Sequence, residues 1–212
     1  MEQEEIEQES EYQTVNNEKI KEEYPPEFAK KQEKKRRKIS FLAELLLYVL
    51  IVAFCLLFVP RYVVQRTVVD GDSMMDTLLD EDNLIVEKIS YHFDNPKRFD
   101  IIVFYPYGRE DKEHYFIKRV IGLPGEKIQI IGENIYINDE ILEESYGKDP
   151  ITYPGLAVEP ILLEEDEYFV LGDNREISRD SRFEDVGPVK RDLIEGKVLI
   201  RLYPFASFGT VD

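Results

Sequence analysis

The chain has 212 residues, of which 43% are hydrophobic and 33% are charged, and its formal net charge is −17 at pH 7. This length allows one folded domain with appendages, or two small domains. The acidic balance argues against nucleic acid as a partner, because a duplex binder needs clustered Lys and Arg to displace counterions. Cys55 is the single cysteine, which excludes an intrachain disulfide.

The first 60 residues separate into three segments of different charge. Residues 1–29 contain ten Glu against Lys19 and Lys21, a composition that predicts a disordered acidic cytoplasmic tail. Residues 30–40 carry seven cationic side chains and form a basic juxtamembrane segment. Residues 41–60 are predicted as a transmembrane helix, because an apolar run of about 1.5 Å per residue reaches the hydrocarbon thickness of a bilayer over this length.

The basic segment also predicts the orientation of this span. Under the positive-inside rule the N-terminus lies in the cytoplasm, and residues 61–212 lie outside the cell membrane as an extracytoplasmic domain. A cleavable signal peptide would begin nearer to the N-terminus and be followed by small residues, whereas YVVQRTVV follows here. A buried core helix is seldom this uniformly apolar. A single-pass anchor in contact with membrane lipid is therefore expected.

After the span the sequence changes to short runs rich in Val, Ile, Tyr and Phe, separated by Gly, Pro and Asn turn signals. Many short strands at this spacing predict an all-β domain that is partly closed into a barrel or a sandwich. Helical turns are expected at 76–82 and 189–193. The predicted strands cover residues 62–69, 83–87, 100–104, 116–121, 127–131, 134–137, 168–171 and 196–203.

Lys118 is a candidate general base. Strand alternation places it on one face with Phe116 and Val120. A lysine between two apolar residues either extends its ammonium group to water or loses its proton. Desolvation favours the neutral amine, which can act as a general base near pH 7. The alternative is an ordinary strand lysine at a sheet edge.

Ser73 is a candidate nucleophile. It follows a predicted strand and a turn that contains Gly71. Such a turn can expose a hydroxyl group and direct nearby backbone N–H groups at the oxyanion of an acyl transfer. Serine needs an adjacent base to become a useful nucleophile. The alternative is a turn serine that caps a short helix.

Residues 172–182 read GDNREISRDSR and hold seven charged or amide side chains directly after an apolar strand. They predict a loop with a hydrogen-bonded network in which Asp180 and Arg182 pair, although a solvated surface loop has the same composition.

His92 and His114 stand in plain polar contexts, without neighbours at metal-ligand spacing. We therefore expect neither a His-dependent triad nor a metal or other cofactor.

Together these segments resemble the conserved motifs of bacterial type I signal peptidases (leader peptidase, peptidase family S26), in their Gram-positive form. SMMDTL at 73–78 resembles the nucleophile motif Ser-Met-x-Pro-Thr-Leu, and RFDIIVF at 98–104 resembles Arg-Gly-Asp-Ile-Val-Val-Phe. KRVIGLPGE at 118–126 is similar to the lysine motif almost letter for letter, and 172–182 matches Gly-Asp-Asn-Arg-x-x-Ser-x-Asp-Ser-Arg. The four motifs occur in order behind a span.

The resemblance implies a fold and an activity. The fold would be mainly β, a signal-peptidase-like (LexA-like), partly open β-barrel domain behind one N-terminal transmembrane helix. The activity would be that of a Ser-Lys endopeptidase that removes signal peptides from exported preproteins after a small-x-small sequence. Ser73 would attack the scissile carbonyl, and Lys118 would take the serine proton and later activate water.

The resemblance also implies supporting roles. Ser178 would hydrogen-bond to the lysine amine and orient it, while Asp180 and Arg182 would form an ion pair near the site. Asp173 would belong to the same loop network. Met74 would help line the small pockets that select residues such as Ala at substrate positions −1 and −3.

Two departures from the family pattern bear on activity. Asp76 replaces the family's proline, and a carboxylate this close to the nucleophile would favour a protonated Lys118. Gly71 stands where some members carry a serine that completes the oxyanion hole, so one donor besides the Ser73 N–H stays unassigned.

Three alternative functions are weighed against the peptidase. One is a catalytically weak homologue acting as a binding or assembly factor at the membrane, for example in pilus assembly, and only Asp76 favours it. A self-cleaving Ser-Lys repressor would lack the span. A purely structural membrane protein explains none of the four motifs.

Overall fold

A computed structural model describes residues 26–111, 114–147 and 149–211 of the chain. The predicted acidic tail therefore lies, up to residue 25, outside the described residues. The chain divides between Leu57 and Phe58 into an N-terminal and a C-terminal unit.

Helix α1 runs Pro26–Tyr62 and is longer at both ends than the predicted span. It begins inside the predicted disordered tail, because residues 27–38 are mostly Ala, Lys, Glu, Gln and Arg, which favour helix. Proline is tolerated at the first helical position. Residues 34–59 are long and apolar enough to cross a bilayer by length and composition, and no other helix within the described ranges meets that test.

The C-terminal unit is mainly β, which confirms the predicted fold class. Its short helix α2 spans Ser90–Phe93. Short 3-10 helices cover Gly155–Val158, Arg191–Leu193 and Phe205–Ser207. The strands are β1 (Val64–Val68), β2 (Asn83–Glu87), β3 (Ile101–Phe104), β4 (Phe116–Gly122), β5 (Lys127–Ile131), β6 (Asn134–Ile137), β7 (Glu140–Ile141), β8 (Ile161–Leu162), β9 (Glu167–Leu171), β10 (Val189–Lys190), β11 (Ile194–Tyr203) and β12 (Gly209–Thr210).

The strands form two antiparallel sheets. The larger sheet has the order β1-β2-β11-β3-β4-β9-β10, with β12 on β11, and it curls into half a barrel. The smaller sheet has the order β7-β6-β5-β8.

The eight predicted strands are all present. Strands β7, β8, β10 and β12 were not predicted, because two residues carry no readable alternation. A helical turn was expected at 76–82, but these residues form non-helical turns. The helical turn expected at 189–193 is divided between β10 and a 3-10 helix.

Strand β4 contributes to the core on both of its faces, as its alternation predicts. Phe116 and Val120 pack in one apolar cluster with Phe104, while Ile117 packs on the opposite side. That opposite cluster also contains Met74, which follows Ser73. Packing in the core therefore fixes both β4 and the turn that carries Ser73.

The core makes one clear prediction about stability. Phe104 is fully buried, whereas Phe93 is 88% exposed. Phe104→Ala should lower the free energy of unfolding by about 3–5 kcal/mol, because the change removes buried apolar surface and leaves a cavity. The matched control Phe93→Ala should stay within about 0.5 kcal/mol of the unmodified chain. Denaturant unfolding of the full-length chain in detergent measures both, and equal losses would contradict the described core.

Candidate active site

The turn after β1 presents Ser73 to a groove. Gly71 has a φ of +87°, a left-handed conformation that glycine adopts without steric cost. Met74 and Leu78 are 1% and 0% exposed, and they anchor the turn in the core. The Met75 N–H donates to the Asp72 carbonyl at 3.0 Å and closes the turn. Ser73 is thus held by its neighbours while its own side chain lines the groove.

Lys118 faces Ser73 from the middle of β4. Its Nζ lies 2.7 Å from Ser73 Oγ and 2.9 Å from the Ile117 carbonyl oxygen. The side chain is buried, and this burial lowers the pKa of Lys118 from 10.5 to about 8, although the carboxylates of Asp180 and Asp173 act to raise it. A neutral amine within hydrogen-bond distance of a serine hydroxyl is the geometry that a general base requires.

A buried ion pair connects β4 to the loop after β9. Arg119 donates to both carboxylate oxygens of Asp173, through Nε at 2.9 Å and Nη2 at 2.7 Å. The Thr77 hydroxyl donates to the same carboxylate at 2.5 Å, and the Arg119 guanidinium lies 3.5 Å from the centre of the Tyr146 ring. The nucleophile turn, β4 and the loop are therefore joined at one carboxylate.

A second buried ion pair lies inside that loop. Arg182 donates to both carboxylate oxygens of Asp180, at 2.8 and 2.9 Å, and both side chains are at most 1% exposed. Asp180 also accepts from the Gly172 N–H at 3.1 Å. Asp180 and Arg182 are thus paired, and most of the loop is a buried network from which Glu176, Ile177 and Arg179 extend to solvent.

The hydrogen bond predicted between Ser178 and Lys118 is not formed. Ser178 Oγ is buried and has no hydrogen-bond partner among the described residues. A Cβ at Gly172 would lie 2.1 Å from this oxygen and 2.4 Å from the Ser73 carbonyl oxygen, so only glycine fits there. Gly172 therefore lies between Ser178 of the same loop and the backbone of Ser73 in the turn. The Asn174 N–H donates to the same Ser73 carbonyl at 3.1 Å.

The backbone around Ser73 narrows the choice of oxyanion donors. The Gly71 N–H donates to Asp80 Oδ1 at 2.8 Å, so it is engaged elsewhere. Within the part of the chain that the structure describes, no group accepts a hydrogen bond from the Ser73 N–H or the Asp72 N–H. Among the described residues the Ser73 N–H and the Asp72 N–H are therefore unengaged backbone donors, whereas the Gly71 N–H is not.

The groove itself runs between two chain segments, residues 69–74 and 114–118, and has a volume of about 390 Å³. The Tyr115 hydroxyl donates to the Val68 carbonyl at 2.9 Å, and Lys118 Nζ lies 2.7 Å from Ser73 Oγ. Met74 lines this groove, and its contact with substrate stays a prediction.

The two histidines take no part in the Ser73–Lys118 contact. His114 lines the groove, and its Nδ1 lies 2.9 Å from Asp111 Oδ2. His92 Nδ1 lies 2.9 Å from the Lys88 carbonyl oxygen. Residues 26–111, 114–147 and 149–211 contain no group of three or more His, Cys, Asp or Glu side chains that could hold a metal ion.

Comparison with known families decides which family this site belongs to. The sequence model described as "Signal peptidase, peptidase S26" matches residues 39–203. The chain belongs to this signal peptidase family. The match begins within α1 and ends at the last residue of β11, so it contains Ser73, Lys118 and the loop at 172–182.

Two relatives, from Leptolyngbya laminosa and Bacillus subtilis subsp. natto, agree with the family assignment. "Signal peptidase I" of Leptolyngbya laminosa is 42% identical over 156 residues, which are 71% of this chain and 74% of that protein. "Signal peptidase I P" of Bacillus subtilis subsp. natto is 34% identical over 183 residues, or 83% and 96% of the two chains. A crystal structure of a signal peptidase I from Enterococcus faecalis V583 is 36% identical, covering 49% of this chain and 97% of that chain with a TM-score of 0.40.

Sequence reasoning missed several residues around this signal peptidase site. Thr77 and Arg119 lie within the quoted motifs but received no role, although a charged residue inside an apolar strand already signals a buried partner. Ile177 and Arg179 line the groove, and no pattern in the sequence indicated that they would.

The family's proline position has an unexpected backbone in this chain. Asp76 has a φ of +86°, which a proline ring cannot adopt because it fixes φ near −65°. Aspartate enters the left-handed region more readily than most residues other than glycine. The replacement of proline by aspartate therefore accompanies a different conformation of the turn.

Asp76→Pro should therefore destabilise the chain. We expect a loss of more than about 1 kcal/mol in the free energy of unfolding, since the ring would force this turn to rearrange. The control Asp76→Gly, which permits a positive φ, should unfold at a similar denaturant concentration to the unmodified chain. Urea unfolding in detergent makes the comparison, and a stabilised Asp76→Pro variant would show that the turn does not need this conformation.

Proposed function

We propose that this chain is a type I signal peptidase, a membrane-bound serine endopeptidase that removes N-terminal signal peptides from exported preproteins. The observation that carries the proposal is the 2.7 Å contact between Ser73 Oγ and a buried Lys118 Nζ. Membership of the signal peptidase family and relatives that are 34% and 42% identical support the same activity.

The geometry supports acylation as follows. Neutral Lys118 takes the hydroxyl proton of Ser73 as Oγ attacks the scissile carbonyl carbon. The resulting oxyanion accepts a hydrogen bond from the Ser73 N–H. When the C–N bond breaks, the Lys118 ammonium returns the proton to the leaving amine, which is the N-terminus of the mature protein. The signal peptide is left as an ester on Ser73.

Deacylation uses the same two residues. Lys118 again acts first as the base, and Ser73 is now the leaving group. Lys118, neutral again, takes a proton from water, and the resulting hydroxide attacks the ester carbon. Ser73 Oγ leaves as the C–O bond breaks and recovers its proton from the Lys118 ammonium. The signal peptide departs with a new carboxyl group that releases its proton to solvent, and both residues return to their initial protonation states.

The remaining predicted residues act through the reactive pair. We assign Asp173 and Asp180, with their arginine partners, to holding the loop beside Lys118. Met74 lines the groove and is assigned to the contact with small side chains at −1 and −3. The role of Ser178 as the residue that orients the lysine stays a prediction.

Membrane placement is part of the proposal. Residues 41–60 of α1 would anchor the chain, with the seven cations of residues 30–38 in the cytoplasm and the β domain outside. Anchoring keeps the groove close to the bilayer, where the cleavage site of a preprotein emerges, and so shortens the search for substrate. The replacement of the family's proline by Asp76 suggested a catalytically weak assembly factor as an alternative, and neither the structure nor the comparisons add support for it.

Cleavage of a purified preprotein with Ala at −1 and −3 tests the activity. The full-length chain in detergent should cut after the −1 residue, with or without EDTA. Ser73→Ala and Lys118→Ala should each reduce kcat by at least about a thousandfold, because both proton transfer and covalent catalysis depend on the pair. The control Lys190→Ala changes an exposed strand lysine and should be fully active. Cleavage by Ser73→Ala, or its loss on adding EDTA, would reject the mechanism.

The pKa of Lys118 predicts the pH dependence of cleavage. Only the neutral amine accepts a proton, so kcat/KM should rise with pH and reach half its maximum at about pH 8, the pKa that burial gives Lys118. Lys118→Arg should be inactive throughout, because a guanidinium stays protonated. A substrate without titratable groups near the cleavage site makes the profile interpretable. A profile that still rises steeply at pH 10 would show that Lys118 keeps an ordinary lysine pKa.

A further inference from the structure

The proposed mechanism leaves two groove residues without a role. Ile177 and Arg179 flank Ser178 in the loop after β9, and both line the groove that contains Ser73 and Lys118. The neighbouring Asp180 is fully buried, but these two side chains reach the groove and solvent. They are therefore positioned to touch a bound peptide without taking part in proton transfer.

Arg179 is held in place but is only partly engaged. Its Nε donates to Asp185 Oδ2 at 2.7 Å, and its guanidinium carbon lies 5.3 Å from the centre of the Phe183 ring. It also lies beside the Tyr107 side chain. The Arg179 side chain is 55% exposed. Because a guanidinium has five N–H donors in a fixed fork, the bond to Asp185 leaves donors for a second carboxylate.

The charges around the groove make this cation distinctive. Asp70 and Asp72 line the groove from the turn after β1, and His114 lies beside its own partner Asp111. Lys118 must be neutral to act as the base. Among the described groove residues, Arg179 is the cation that keeps its charge through the reaction. A substrate carboxylate near it gains a charge-assisted contact, whereas a substrate lysine is repelled.

We propose that Arg179 is a specificity-determining residue that binds a carboxylate side chain of the preprotein close to the scissile bond. The inference rests on the proposed peptidase function. The proposed function requires small residues at −1 and −3. The charged substrate side chain that contacts Arg179 therefore lies at −2 or at the first two positions of the mature protein. Asp70 and Asp72 act against a substrate carboxylate, so the contribution of Arg179 is the part of the preference for Asp over Lys that is lost when its charge is removed.

A substrate panel tests the proposal with full-length chain in detergent. Each preprotein has Ala at −1 and −3 and carries Asp, Asn or Lys at −2, +1 or +2, and kcat/KM is measured for each. Arg179→Gln should reduce the Asp-over-Lys ratio about threefold at one of these positions, the size expected for a half-exposed charge pair. Cleavage of the Asn substrates should change little, because the reactive pair is untouched.

Arg109→Gln is the matched control. Arg109 is 50% exposed and lies 2.7 Å from Glu195, but it lies outside the residues that line the groove. This variant removes the same charge and should keep the Asp-over-Lys ratio of the unmodified chain. Asp185→Asn should raise the ratio, because Arg179 then no longer shares its charge with a carboxylate of the protein.

The outcomes distinguish this proposal from the one on which it rests. If Arg179→Gln leaves the ratio unchanged at all three positions, the specificity role is overturned while the peptidase function stands. The specificity role is also overturned if Arg109→Gln lowers the ratio equally, since overall charge would then explain the preference. If the unmodified chain cleaves none of the substrates, the proposed function fails first.

Discussion

The structure depends on burying an amine beside a hydroxyl group. Lys118 is 4% exposed, and burial is the largest cause of its lowered pKa. Two carboxylates, Asp173 and Asp180, lie close enough to oppose that effect. Each is paired through two hydrogen bonds with a buried arginine, Arg119 or Arg182. The arginines offset the negative charge that would otherwise keep the lysine protonated, so the two ion pairs and the neutral amine form one electrostatic arrangement.

The larger sheet positions these charged groups, because the pairing register of adjacent strands decides which residues lie side by side. Strand β4 pairs with β9 so that Arg119 lies opposite Leu171, the last residue before the loop. Asp173 then begins the loop directly beside Arg119. The turn after β1 reaches the same place through Thr77, whose hydroxyl donates to Asp173. Removing either partner of such a buried pair typically costs about 3–5 kcal/mol, because the other charge is left without compensation.

Much of this could be predicted from the sequence, where local pattern carries the information. Strand alternation placed Lys118 with Phe116 and Val120, and the structure packs Phe116 and Val120 together. The four motifs predicted which segments lie near the reactive pair. The all-β fold class followed from short apolar runs between turn residues.

Other features could not be predicted, because they depend on contacts between distant segments or on side-chain rotation. The position of Ser178 is set by its fit against Gly172, which no spacing reveals. Arg179 reaches the groove only because the loop folds over the nucleophile turn. The positive φ of Asp76 was missed because the family pattern suggested a proline there. Two-residue strands such as β7 are defined by their pairing partners alone.

The groups that surround Ser73 lie far apart in the sequence, so their contacts form only when distant segments of the chain come together. Ser73 and Lys118 are 45 residues apart, and Thr77 and Asp173 are 96 residues apart. Contacts of such long range form late, because loop closure precedes any stabilisation they bring. A chain in which β4 has not yet joined the turn after β1 therefore has no lysine beside Ser73. The Ser73–Lys118 pair therefore exists only in a chain whose long-range contacts have formed.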